Sequence, residues 1–462
     1  MGRQFALAWV NAALVVGIAV QSAAVFAADP TLRQGSGLAG APAETTVAAA
    51  RALGIEPLVL PAEFFPILTW DKLRGWKPPY RDPASSLPGI AECNFTIAGF
   101  VNAEDLPLCE KLGLLAIVPP EDNAPATGGR WAKLSDEEID RKVKAMVEKA
   151  GKSRAVLGYF IVDEPGAGAF PTLAKVVAAV KRHAPGKLAY INLYPSYATV
   201  GAPDKSQLGT ATYTEYLERF VTEVKPQLLS YDNYMVQYSD DLQGAKAALY
   251  YADLLEVRRV GLKYGLPFWN VVSGNQIRKY TTIPSPANLA FQAYTTLAAG
   301  GRGISWFKYY QDAYRYAAVD NSGGKTLTWR YLQAINRQVR TLGPIMNRLR
   351  STGVFFSSPP PVPSLPPLPG HLIRRVQSQA SPRGLGPHEP PVMVGEFAGP
   401  DGADYVMIVN LSLERSANVK LETVKPCKSK LVFSAEDARL APLDEENGLW
   451  LLAGHGALVK LQ

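Results

Sequence analysis

Between residues 60 and 310 the chain alternates two patterns, short runs in which nearly every position is apolar and longer stretches with apolar residues three and four apart. The runs are "FFPILTWD" from Phe64, "IAECNFTIAGF" from Ile90, "LLAIVPPED" from Leu114, "VLGYFIVDEP" from Val156, "LAYINLYP" from Leu188, "LLSYDNY" from Leu228, "PFWNVVSG" from Pro267 and "GISWFKYY" from Gly303. A run apolar on both faces reads as a buried strand, and the three-and-four spacing as an amphipathic helix. Among the helical stretches, "SDEEIDRKVKAMVEKAG" sets Ser135 and Glu138 at the spacing of a capping box. "FPTLAKVVAAVKRHAPG", "YTEYLERFVTEVKP", residues 242 to 264 and "SPANLAFQAYTTLAAGG" continue the series. Eight strand–helix units in succession predict an α/β fold, a parallel (β/α)8 TIM barrel over residues 61–352. The glycines of "AAGGRG" precede the eighth run, so they predict a tight helix-to-strand turn on the stability rim and not a phosphate loop.

The pattern changes on either side of this region. Residues 28–60 mix Gly, Ala, Pro and Thr and read as a loosely ordered lead-in. Residues 353–391 are so rich in proline that they predict a linker or long loop. From residue 392 to 462, alternating runs separated by turn residues, among them "PVMVGEFAG", "ADYVMIVNLS" and "GALVKLQ", predict a small antiparallel β-sandwich.

In such a barrel the reactive groups come from the C-terminal ends of the strands. Here those ends are polar and aromatic: Trp70 and Asp71, Glu92, Glu121 and Asp122, Asp163 and Glu164, Asn192 and Tyr194, Asp232 and Tyr234, Trp269 and Asn270, Trp306 and Tyr309. Solvation alone accounts for polar strand ends, but not for tryptophan at three of eight. Carboxyls beside flat apolar rings suit a sugar, whose hydroxyls take directed hydrogen bonds and whose C–H face packs on indole.

Neighbouring strand residues point to opposite faces, so Asp163 and Glu164 cannot both enter the mouth while their strand stays regular. Pro165 disfavours helical geometry before it, which predicts an extended Glu164 with a fixed direction. Glu164 is therefore expected as a general acid, with Asp163 orienting it or a substrate hydroxyl; the structural alternative for Asp163 is a helix cap or a lysine pair. Cleaving a glycosidic bond takes two flanking carboxyls. Asp232, expected across the mouth, is the first candidate for the second and Glu92 the next.

"GYFIVDEP", "YINLYP", "LSYDNY", "PFWNVVSG", "GRGISWFKYY" and the closing "LWLLAGHGALVKL" together resemble the (β/α)8-barrel glycoside hydrolases of the β-galactosidase-like type, over roughly residues 60 to 462. The resemblance implies an acid/base glutamate ending the fourth strand, a position Glu164 matches, and a nucleophilic glutamate ending the seventh, where "PFWNVVSGNQ" holds no acid. Three readings follow from that departure: Asp232 serves as base or nucleophile, the substrate supplies its own nucleophile as in the family 18 chitinases, or the site binds sugars without cleaving them. Tyr231 and Asp232 are similar to the chitinases' Tyr-Asp after the sixth strand, but "FIVDEP" lacks their spaced aspartates.

Composition narrows the field further. At 47% hydrophobic and 19% charged the chain is globular, and its net charge of +7 is spread without a Lys/Arg block, which argues against a nucleic-acid partner. His183, His371, His388 and His455 all lie away from strand ends, so no metal or other cofactor is called for, and no Gly-x-Ser-x-Gly elbow is present. Arg3, the apolar stretch after it and the small residues around Val25 and Ala27 read as a signal peptide over residues 1–27, which predicts a periplasmic or secreted protein without a membrane partner after cleavage. Export leaves two options open for Cys93 and Cys109, a disulfide or buried thiols.

Overall fold

The computed structural model describes residues 50–72, 87–120, 128–198, 206–238, 244–381 and 389–462. The expected leader (1–27), most of the lead-in (28–60) and the strand-end candidates Glu121 and Asp122 lie outside these residues.

Eight parallel strands close into a barrel in sequence order: β1 (Ile67–Thr69), β2 (Ile97–Phe100), β3 (Leu115–Val118), β4 (Val156–Asp163), β5 (Leu188–Leu193), β6 (Leu229–Asp232), β7 (Phe268–Ser273) and β8 (Ile304–Phe307). The ring closes where Ile67, Leu68 and Thr69 pair with Ile304, Ser305 and Trp306. Around it lie α1 (Leu87–Glu92), α2 (Leu106–Leu112), α3 (Gly128–Trp131), α4 (Asp136–Ala150), α5 (Phe170–His183), α6 (Tyr213–Arg219), α7 (Gly244–Tyr264), α8 (Pro286–Ala298) and α9 (Leu327–Met346). Each of the eight apolar runs thus contributes one strand. The capping box opens α4 as its spacing requires: Glu138 N–H donates to Ser135 Oγ at 3.2 Å and Ser135 N–H to Glu138 Oε2 at 2.7 Å. "AAGGRG" forms the α8–β8 turn, with Gly300 at φ +84°.

Inside the barrel, alternate residues stack in layers. Leu68, Ile97, Ile117, Leu157, Leu188 and Trp269 belong to one cluster with Trp70, Phe100, Phe160, Tyr190 and Val271. The upper rings are edge-on or tilted neighbours, Trp70 to Phe100 at 4.8 Å and Phe100 to Phe160 at 4.4 Å. Trp269 is seated against Gly303, where a β-carbon would meet the indole at 2.5 Å.

The C-terminal unit is a two-layer sandwich. One layer runs β15 (Leu440–Pro442), β14 (Lys430–Phe433), β17 (Gly456–Leu461), β12 (Asp404–Asn410), β11 (Val392–Ala398) and β9 (Arg350–Phe356); the other runs β10 (Ile373–Ser381), β13 (Ser416–Thr423) and β16 (Leu449–Leu451). The expected linker over 353–391 therefore needs correction. Its prolines are confined to the flanks, while the proline-free "IRRVQSQAS" pairs along β13 from Ile373↔Thr423 to Ser381↔Ser416, and β9 pairs with β11. Central strands of the larger sheet are buried on both faces. Val392, Val394, Val406, Ile408 and Val459 face the smaller sheet, whereas Met393, Phe397, Met407, Val409 and Leu458 join the core shared with the barrel helices. Cys93 and Cys109 are free and buried, with the Cys93 thiol donating to Trp329 O at 3.4 Å. Among the described residues no helix is long and apolar enough to cross a membrane.

Candidate active site

At the C-terminal mouth, β4, β5 and β6 bring three carboxyls together. β4 is not regular: its pairing with β5 shifts between Phe160 and Val162, so Ile161 and Val162 both turn toward the helices and Asp163 turns inward. Glu164 follows at φ +49°, a left-handed conformation that is costly for a side chain this long, and its N–H donates to Asn192 O at 2.9 Å. The expectation of an extended Glu164 is thus overturned. The bulge and the left-handed turn together aim both acids at one place, which a regular strand could not do.

Asn192 of β5 organises the group. Tyr190 Oη and Ser230 Oγ lie 2.9 Å apart, and Ser230 Oγ donates to Asn192 Oδ1 at 2.9 Å, which leaves the amide nitrogen to donate to Asp163 Oδ1 at 3.1 Å and Asp232 Oδ1 at 2.7 Å. Asp232 also hydrogen-bonds the Glu164 carboxyl and accepts from the Tyr234 hydroxyl. Tyr234 is held in turn, its N–H donating to Tyr197 Oη at 2.9 Å. Asp232 therefore does not stand across the mouth from Glu164. It touches Glu164, because only β5 separates their strands.

Removal from water governs the charge on this group. Burial, followed by the charge of Asp232, pushes Asp163 up to about 8 against the pull of Asn192. Burial, then Asp232 and Asp163, holds Glu164 well above the usual carboxyl range. Burial also raises Asp232, to about 6, while hydrogen bonds from Asn192, Glu164 and Tyr234 restrain it. The hydrogen bonds thus favour the charge on Asp232, and burial with that charge favours the protonated forms of Glu164 and Asp163.

The other candidates divide. Tyr194 is half-buried beside the cluster; burial and then the Glu164 charge raise its hydroxyl, and Gln207 Nε2 donates to it at 2.7 Å. Trp70, 8% exposed, forms the floor with Tyr190 at 5.7 Å. Trp269 lies in the layer below, 5.9 Å from Tyr190 and closed off. Asn270, Trp306 and Tyr309 face outward, contrary to expectation. Asn270 Nδ2 donates to Thr296 of α8 at 2.9 Å, Trp306 Nε1 to Asn336 of α9 at 2.9 Å, and Tyr309 Oη accepts from Trp329 at 3.2 Å. Glu92 ends α1, ahead of β2, where it is exposed and pairs with Lys325 at 2.6 Å. Asp163 caps no helix and pairs with Asn192, so that alternative also falls.

Several mouth residues were not expected. Phe307, not Trp306, faces the cluster, its ring 5.2 Å from that of Tyr234. The β8 loop adds Lys308, which hydrogen-bonds Asp312 and lies 3.7 Å from Asp71, and Tyr314, whose ring is 5.2 Å from Phe307. "FKYYQDAYRY" is dense enough in aromatic and charged residues to have marked this loop. Among the described residues no cluster of three or more His, Cys, Asp or Glu side chains is arranged to hold a metal ion.

No family model matches the chain, and none of the curated proteins matches it in sequence. Among solved structures it is similar to the β-glucuronidase of Bifidobacterium dentium (12% identity, TM-score 0.43, 59% of this chain and 46% of that one). It is also similar to the endo-β-1,4-mannanase of Thermotoga petrophila (9%, 0.43, 78% and 97%) and the cold-adapted β-galactosidase of Rahnella sp. R3 (11%, 0.47, 64% and 58%). The chain thus spans about half the length of the glucuronidase. Identities and superpositions at this level carry nothing about chemistry; the barrel is established by its own strand order.

Proposed function

We propose that the protein hydrolyses glycosidic bonds of an oligo- or polysaccharide, with Glu164 as the proton donor and Asp232 as its paired carboxylate. The observation that carries this reading is the hydrogen-bonded Glu164–Asp232 pair, with Asp163 beside it, above an aromatic floor at the barrel mouth. Hydrolysis needs a proton for the departing oxygen and a carboxylate for the positive charge that builds at the anomeric carbon. Burial raises both acids, but hydrogen bonds from Asn192, Glu164 and Tyr234 restrain Asp232, whose charge then holds Glu164 protonated, and this separates the two roles. The two carboxyls hydrogen-bond each other, whereas those of a retaining pair stand ~5 Å apart. A substrate hydroxyl inserted between them replaces their mutual hydrogen bond and opens that gap, while Asn192 and Tyr234 keep the Asp232 anion in place. Asp163, protonated, has a hydrogen bond to offer a second hydroxyl.

A second reading, a carbohydrate-binding protein without turnover, is favoured by the end of β7, where Ser273 stands and its hydroxyl donates to Asn275 O at 3.1 Å. Turnover separates the two. Purified protein is incubated with a panel of glycans and aryl glycosides, and NMR records the first anomer released. Under the hydrolase reading sugar is released, and Glu164→Gln lowers kcat by about 10²–10⁴. Undiminished hydrolysis by Glu164→Gln removes the acid assignment, and glycan binding without release by the wild type selects the binding protein.

A further inference from the structure

The aim of Asp163 and Glu164 depends on two irregularities, an extra residue in β4 and a left-handed step after it, and side chains from outside the sheet hold both. Phe160 pairs with Tyr190 and Val162 with Ile191, which leaves Ile161 without a partner residue in β5. A bulged residue drops out of the ladder, and its buried carbonyl then needs a donor from elsewhere. The indole of Trp131, at the end of α3, supplies one: Nε1 donates to Ile161 O at 3.0 Å. The ring that brings this donor is itself fixed, buried to 2% exposure with the Lys142 ammonium of α4 5.3 Å from its centre.

The left-handed step is held on both sides of Glu164. Before it, the Glu164 N–H donates to Asn192 O at 2.9 Å. After it, Pro165 has no N–H to anchor, but its carbonyl accepts the Tyr216 hydroxyl of α6 at 2.7 Å. The same hydroxyl oxygen accepts the Tyr194 N–H at 3.4 Å, so one fully buried phenol ties the loop after β4 to the loop after β5. Two further bonds join these parts: Tyr213 Oη donates to Tyr194 O at 3.1 Å, and Ala167 N–H to Leu208 O at 2.7 Å. Thr212 caps α6, its Oγ accepting the Glu215 N–H at 3.1 Å, which sets the helix that presents both tyrosines.

A left-handed glutamate is strained, and such a conformation persists only where its surroundings over-determine it. A bulge that moves by one residue exchanges the faces of the residues it passes. Either relaxation would turn Asp163 or Glu164 away from Asn192 and Asp232. We propose that Trp131 and Tyr216 are positioning residues for these acids, the indole N–H holding the bulge and the phenol holding the turn, so that Asp163 and Glu164 meet Asp232 only while both bonds are made. This rests on the reading of the three carboxyls as the site but not on hydrolysis.

The test uses full-length Trp131→Phe and Tyr216→Phe, each of which keeps an aromatic ring and loses the donor. Infrared spectra of the protonated carboxyl C=O stretch are recorded against pH, with Glu164→Gln and Asp163→Asn assigning the bands. In each variant the Glu164 and Asp163 bands should vanish at a pH about one unit or more below that of the wild type, because acids turned from Asp232 no longer feel its charge. On a glycan that the wild type cleaves, kcat should also fall about tenfold or more with KM unchanged. Each variant judges its own residue. A variant that melts lower but keeps the wild-type bands overturns the role, since its bond then stabilises the fold alone. Failure of both variants to fold overturns it as well, because the bonds are then requirements of the fold and not of the acids' direction. Moved bands with a wild type that cleaves nothing, or with an unchanged kcat, leave the two holds standing and remove the hydrolase assignment. Unmoved bands beside a wild type that loses activity as Glu164→Gln do the reverse.

Discussion

At the scale of single residues, the site turns on one amide. Ser230 fixes which end of Asn192 faces the acids, and its nitrogen then favours charge on whichever carboxylate it contacts. Asp232 takes most of that benefit, with a second donor in Tyr234, and so ionises first. Activity under the hydrolase reading needs Asp232 ionised and Glu164 protonated, and the cluster's titrations are shared among its members. The rate should therefore rise with pH through about 6, where Asp232 loses its proton, and fall at higher pH, where Glu164, held well above the usual carboxyl range, loses its own. A pH profile of kcat/KM on the preferred glycan checks this. In Asn192→Leu the lower limb moves to higher pH, because Asp232 loses the Asn192 donor; an unmoved limb would mean that another group sets it.

At the scale of elements, the loops at the mouth are held by the helices behind them. Asp253 of α7, 1% exposed, accepts the Ser196 N–H at 3.1 Å and so fixes the loop that carries Tyr197, the support of Tyr234. Burial pushes Asp253 up to about 7, against the Ser196 hydrogen bonds. Its folded pKa exceeds its unfolded value near 3.9. Folding is therefore unaffected by this group below about pH 4, and the stability it contributes falls as pH rises from about 4 through 7. Asp253→Asn keeps an acceptor for Ser196 and lacks that loss. The variant should match the wild type near pH 4 and exceed it by on the order of 2–4 kcal/mol at pH 8 in denaturant titrations. A constant difference across that range would show that Asp253 does not titrate on folding.

The same elements explain what could be read from the chain. The eight strands were legible because parallel strands are apolar on both faces, and the runs stand out against the helices between them. That property also hides the phase. In "FWNVVS" and "ISWF" nearly every position is buried, so nothing in the sequence says that Trp269 and Phe307 face in while Asn270 and Trp306 face out. Asp163, Glu164, Asn192 and Asp232 were found because acids and amides are rare at buried strand ends, but their meeting depends on a bulge and one positive φ that no periodicity marks. β10 was hidden by the prolines on either side of it.

At the scale of the whole molecule, barrel and sandwich share one core. Met393, Phe397, Met407, Val409 and Leu458 of the larger sheet belong to the same cluster as Phe291, Tyr294 and Leu297 of α8, so neither unit buries its apolar surface alone. The approach is close enough to need glycine at the contact: a β-carbon on Gly395 of β11 would lie 2.1 Å from Ala298 O, and one on Gly454 would lie 2.0 Å from Ala287 O. Both partners are backbone atoms at the ends of α8, which cannot swing aside as a side chain does. Gly395→Val therefore has to push the sheet off the helix, an overpacking that costs about 1–3 kcal/mol or more where nothing yields. The same helix fixes Ser273 at the end of β7 through Gln292, at 2.8 and 3.0 Å. The expected outcome is a single cooperative melt for the wild type and a Gly395→Val variant that melts several degrees lower, in one step. Two separate transitions in the wild type would show instead that the sandwich folds as an independent unit and that its contact with α8 stabilises neither part.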